Sequence, residues 1–212
     1  MGDRELSFEA SGALWNASLV MRDRETDSWW SIMTSSSIGG PLEDQDLVEL
    51  PASEKTTWKD WRARHPETKV LSVGGVEHVT KNPYDNYFSN EETFRNLEVS
   101  DRRLPPKTPI FAFWVDGHAF AVPHSRFLGG KLLSSKKLGG RWLLVFRNDG
   151  AAIFESTRAF LVPSAEIRRG TDPKPLLPST GAPLPDGYEA VTGFDTFWYN
   201  WVSVHPDTRL LK

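Results

Sequence analysis

The sequence predicts a mainly β protein, a β-rich α+β class with one short helix per half and two similar halves about an approximate two-fold axis. Three observations predict it. "TTWKDWRARHPETKVL" (56–71) returns as "TFWYNWVSVHPDTRLL" (196–211), both reading Trp-x2-Trp-x3-His-Pro-x-Thr. In "KTPIFAFWV-DG-HAFAVP" two apolar runs meet at Asp116-Gly117, the residue pair of a type I′ hairpin turn. "GGRWLLVFR-NDG-AAIFES" has the form of a second hairpin with a longer turn.

The repeat extends upstream. "SIGGPLED" from Ser37 pairs with "STGAPLPD" from Ser179, so the blocks Ser37–Leu71 and Ser179–Leu211 read as a duplication. This implies one domain of two related halves, roughly 1–98 and 110–212, joined by the proline-bearing connection 99–109. Only 36 residues precede the first block whereas 107 separate the two, so either the middle has grown or the first half lacks opening strands.

In chain order, "LSFEASGALW" and "SLVMRDRETDSWWSIM" are β-rich, with a polar turn at "DRETD". "SSSIGGPLEDQD" reads as turn and loop. "TTWKDWRARH" predicts a short helix: Thr57 is placed to cap it, Asp60 stands at the capping-box position, and Pro66 stops it. After the two hairpins, "RRGTDPKPLLPSTGAPLPDGYE" predicts irregular backbone.

Composition excludes several functions. With 25 basic against 28 acidic residues and no run of like charge, there is no electrostatic footprint for nucleic acid. No cysteine is present, which removes disulfides, thiolate metal sites and cysteine nucleophiles. The longest apolar run, "PIFAFWV", is far too short for a membrane span, and "MGDRELSFEA" lacks the apolar stretch of a secretory signal. As written, the chain reads as soluble and cytoplasmic. No Gly-x-Ser-x-Gly elbow, P-loop or dinucleotide fingerprint occurs, and no cofactor is expected.

Chemistry-bearing candidates are few. Trp58, Trp61 and His65 share one helical face, as do Trp198, Trp201 and His205. A buried indole removes about 150–250 Å² from water, at most roughly 4–6 kcal/mol at about 25 cal/mol per Å², so folding alone is reason to keep them. A structural role for His65 and His205 is the leading expectation, with catalysis or ligand binding the other. Asp23, Glu25 and Asp27 in "DRETDS" superficially resemble a calcium loop, but Ser28 and Thr34 stand where Gly and Glu are needed. His118 and His124 share strand parity and are a weak metal pair without a third ligand.

Together "FEASGALWNASLVMRDRETDSWWS", "IGGPL", "TWKDWRARHPETKVLS" and "NPYDNY" resemble the prokaryotic family catalogued as domain-of-unknown-function family 3179. The resemblance covers nearly the whole chain, and "FWYNWVSVHPDTRLL" matches the family's usual ending. It implies no activity. Members commonly carry an upstream Cys-Pro-x-Cys-like segment, often behind an export signal. This chain has neither, which is consistent with a shortened form and leaves a periplasmic or extracellular location open.

Two functions follow. The first is a binding or scaffold domain in which Trp29, Trp30 and Trp114 stack on a small molecule, glycan or protein partner. The second is an enzyme pairing Asp23 or Asp27 with His65 or His205 in a cleft between the halves.

Overall fold

The computed structural model describes residues 5–48, 56–71, 83–127, 133–138, 140–147, 157–163 and 183–211. Among them the protein is mainly β, built as three four-stranded sheets with three short helices.

The N-terminal sheet is an antiparallel meander of β1 (Phe8–Trp15), β2 (Ser18–Asp23), β3 (Trp29–Ser31) and β4 (Ser36–Gly39). The polar stretch after Asp23 makes the β2–β3 turn as expected, with Asp27 at φ 59°. The segment read as turn and loop contains β4. Strand pairing is what recruits it: Trp30 lies opposite Ser37, and the Ser37 hydroxyl donates to the Trp29 carbonyl.

The central sheet has the order β11-β5-β6-β12, from β5 (Pro109–Val115), β6 (His118–Pro123), β11 (Gly193–Phe197) and β12 (Arg209–Leu210). Asp116 and Gly117 both take positive φ, 51° and 72°, giving the tight β5–β6 turn that the Asp-Gly pair predicts. "PIFAFWV" is apolar at both parities because both faces of this sheet are covered. One face, with Phe111, Phe113, Phe120 and Val122, packs on the outer sheet. The other, with Ile110, Ala112 and Ala121, receives the C-terminal helix and Met33 of the N-terminal unit.

The outer sheet has the order β10-β9-β8-β7, from β7 (Leu133–Leu138), β8 (Arg141–Arg147), β9 (Thr157–Val162) and β10 (Glu189–Val191). β8 pairs with β9 from Arg147↔Thr157 onward, whereas "AAIFES" (151–156), read as the return arm of the second hairpin, lies outside the described residues. Residues 148–156 lie outside the described residues, as do 164–182, where irregular backbone was expected and where the second repeat block begins.

Helix α1 (Trp58–Arg64) starts where its cap predicts, with the Asp60 amide donating to Thr57 Oγ1 at 3.1 Å. The described residues of the first half also include α2 (Asp85–Ser89), a second helix where one was expected; Tyr87 packs it against the central core. The C-terminal helix α3 (Trp198–Val202) has no side-chain cap. Its opening amides are satisfied instead by the proline-bearing connection, Trp198 donating to the Thr108 carbonyl and Tyr199 to that of Pro106.

Candidate functional site

The two copies of the repeated phrase fold alike locally. In each, the His amide donates to the carbonyl of the second Trp, at 2.8 Å for His65–Trp61 and 2.9 Å for His205–Trp201. In each, the Thr amide then donates to the His carbonyl at 3.1 Å, which the intervening proline favours by fixing the turn. The indole and imidazole centroids stand 4.1 Å apart in the first copy and 4.2 Å in the second.

Their surroundings differ completely. Trp198 and Trp201 are 0% exposed. The imidazole of His205 lies between Trp201 and Trp114, and its Nε2 sits 2.9 Å from the Met33 carbonyl. A carbonyl only accepts, so the proton is on Nε2. Burial disfavours the charged ring and holds the His205 pKa below its ordinary value, against the smaller upward pull of that hydrogen bond. No residue of α1 is buried: Trp58 is 48% exposed and His65 faces solvent. Among the described residues, neither histidine pairs with a carboxylate.

Asp23 is fully buried in the N-terminal sheet. It accepts from Trp30 Nε1 at 2.8 Å and from the amide and hydroxyl of Thr26. Burial pushes its pKa up, but these bonds together outweigh that and hold the carboxyl below its usual range. The acid thus ties the β2–β3 turn to Trp30, which is itself 1% exposed. Asp27 projects into solvent 3.6 Å from Arg22, and Trp29, 41% exposed, stands at the rim of the same sheet. Trp114 is half-buried against Phe194 and Trp201. The structure therefore brings Trp114 and His205 together and leaves Asp23, Asp27 and His65 apart from them.

His118 and His124 do not share a surface. His118 is exposed at the start of β6, whereas His124 opens the short 3₁₀ turn His124–Phe127 after Pro123, so strand parity does not reach it. Among the described residues no group of three or more His, Cys, Asp or Glu is placed to hold a metal ion.

His124 belongs instead to a constellation that spacing could not reveal. Its Nε2 lies 2.8 Å from Asp195 Oδ1. The Thr157 hydroxyl donates to the same oxygen at 2.7 Å, and Arg147 Nη1 donates to Thr157 Oγ1 at 3.0 Å while standing 3.7 Å from the carboxylate. The four side chains come from β8, β9, β11 and the turn after β6, and they close one end of the core between the central and outer sheets. Asp195 and Arg147 are buried. With Asp195 ionised, Nε2–H donates to it, which leaves Nδ1 as the basic nitrogen. The sequence signal was Asp195 itself, a carboxylate inside the apolar strand "GFDTF", which must find donors once buried.

Lys107 is a further buried charge. Its ammonium donates to the Tyr87 and Asn90 carbonyls and lies 4.1 Å from the Tyr87 ring centroid. Desolvation lowers its pKa. All three contacts tie α2 to the connection before β5, a structural arrangement.

The family model described as "Protein of unknown function (DUF3179)" matches residues 1–208. The chain belongs to this family. No curated protein and no solved structure matches it. Membership brings no reaction or ligand with it. Among the described residues, no helix is long and apolar enough to cross a membrane.

Proposed function

We propose that this DUF3179 member is a binding or scaffold domain in which the Trp-x2-Trp-x3-His-Pro-x-Thr phrase is a duplicated signature whose second copy acts as a structural clasp. One observation carries the reading: His205 spends Nε2 on the Met33 carbonyl and is walled by Trp201 and Trp114. A histidine so placed joins the C-terminal helix to the N-terminal unit. Ligand contact then falls to exposed aromatic surface, with Trp29 the best placed of the three tryptophans singled out by sequence, Trp30 supporting it from within and Trp114 serving the clasp. The class of ligand is a small molecule, glycan or protein with a face to stack on. NMR titration of the histidine rings, assigned with His65→Gln and His205→Gln, tests the clasp. A His205 ring silent between pH 5 and 8, with a destabilised His205→Gln variant, is expected. A His205 that titrates freely and is dispensable for folding would end the reading.

The acid–base alternative has one observation in its favour, the 2.8 Å pairing of His124 with Asp195. On that reading His124 is the base and Asp195, held by Thr157, orients it. The test is a survey of ester, amide, phosphoester and glycoside reporters with wild type and His124→Gln. Turnover lost in the variant at unchanged melting temperature supports it; turnover indifferent to the substitution removes it.

A further inference from the structure

The second copy of the phrase shows what a Trp-Trp-His helix packs on: the apolar face of an antiparallel hairpin. Trp198 and Trp201 lie in the cluster with Ile110 and Ala112 of β5 and Ala121 of β6. The first copy has the same local fold, but no residue of α1 is buried and it has no such seat among the described residues.

An unoccupied face of that kind exists in the same chain. In the β1–β2 hairpin, Phe8 lies opposite Asp23, Ala10 opposite Met21 and Leu14 opposite Leu19, while Met21 also lies opposite Trp30. Residues opposite one another point to the same side, so these apolar groups share one face with the buried Asp23. Val20, at 2% exposure, points the other way. On the shared face Phe8 is 36%, Leu14 41% and Leu19 40% exposed, around the buried Trp30. Since no residue of α1 is buried while Phe8, Leu14 and Leu19 stay exposed, α1 is not seated on this hairpin within one chain.

Charge selects the same match. Residues 5–48 carry eight acidic groups against two basic ones, whereas residues 56–71 carry four basic against two acidic. With buried Asp23 set aside, the N-terminal unit is left at net −5 against the net +2 of the helix segment. We propose that α1 of one copy docks, through Trp58, Trp61 and His65, on the β1–β2 face of a second copy, reciprocally, as a closed two-fold dimer. The dimer extends the clasp reading, but the two fail separately: His205 titration tests the clasp, and sedimentation tests the dimer.

Sedimentation velocity over a concentration series decides it, with Trp58→Ala and Leu19→Glu as variants at exposed positions whose folding is checked by circular dichroism. The wild type is expected at twice the 23.9 kDa chain mass, shifting toward single chains as salt is raised. Each variant alone is expected as single chains. Their equimolar mixture recovers double-mass species, because the helix of the Leu19→Glu chain still fits the face of the Trp58→Ala chain. A wild type that stays single at every concentration overturns the proposal, including one whose Trp58 is shielded from a soluble quencher by its own chain. So does a variant that dimerises as the wild type does, or a mixture that recovers nothing.

Discussion

Trp201→Ala and Trp58→Ala each truncate a tryptophan of the repeated phrase, the second Trp of one copy and the first Trp of the other, yet their environments predict very different costs. Trp201 is 0% exposed and touches Trp114, Phe194 and His205. Burying about 150–250 Å² at about 25 cal/mol per Å² gives roughly 4–6 kcal/mol as an upper bound. Its Nε1 has no hydrogen-bond partner among the described residues, which offsets about 1–3 kcal/mol of that, while the cavity left by truncation adds cost. The net expectation is about 3–5 kcal/mol, in line with large aromatic truncations in cores. Trp58, half-exposed, should cost less than about 1 kcal/mol. Urea denaturation at sub-micromolar chain concentration, where self-association contributes nothing, measures both through the midpoint at constant m-value. In melting temperature the Trp201 effect is roughly 6–20 °C for a chain of this length. If Trp58→Ala costs as much as Trp201→Ala, the claim that only the second copy is built into the core is refuted.

Other expectations are smaller in scope. Because burial lowers the His205 pKa, its contribution is complete above the unfolded value near 6.5 and is lost as pH falls below it, where the unfolded chain takes the proton first. Urea midpoints from pH 7.5 down to 5 should fall more steeply for wild type than for His205→Gln. Asp23→Ala leaves the buried Trp30 N–H without its acceptor and should cost about 2–3 kcal/mol, against about 0.5 kcal/mol or less for Asp27→Ala; equal losses by urea melt would contradict the assigned roles. Gly40→Ala adds a Cβ 2.8 Å from Ser28 Cα at φ +97°, so it should destabilise by more than about 1 kcal/mol. A neutral result in the same assay would mean that the loop shifts freely.

What sequence made legible was what is settled locally. The Thr57 cap, the Pro66 stop and the Asp116-Gly117 turn act within a few residues, and each stands where it was read. β4 was hidden because its pairing with β3 outweighs the turn-forming character of "SSIGG". The edge strand β12 was hidden too, since two residues joined in parallel to β6 carry no periodicity of their own. The two histidines of the phrase were legible as a pair but not in their fates, which depend on what surrounds each helix. The contact between His124 and Asp195 spans 71 positions, beyond any motif, and only the meeting of two sheets creates it.

The bond from His205 to Met33 joins positions 172 apart, and β11 reaches its place beside β5 only after the four strands of the outer sheet have intervened. Such wiring bears on kinetics more than on stability. The β5–β6 hairpin can form early, from neighbours in the chain, but its Ile110–Ala121 face must wait for Trp198 and Trp201 to arrive. Closing loops of that length before any contact rewards them slows the search and places the protein among slowly folding topologies. During that interval an apolar sheet stands open to wrong partners, so refolding yield should fall with chain concentration well before native stability does.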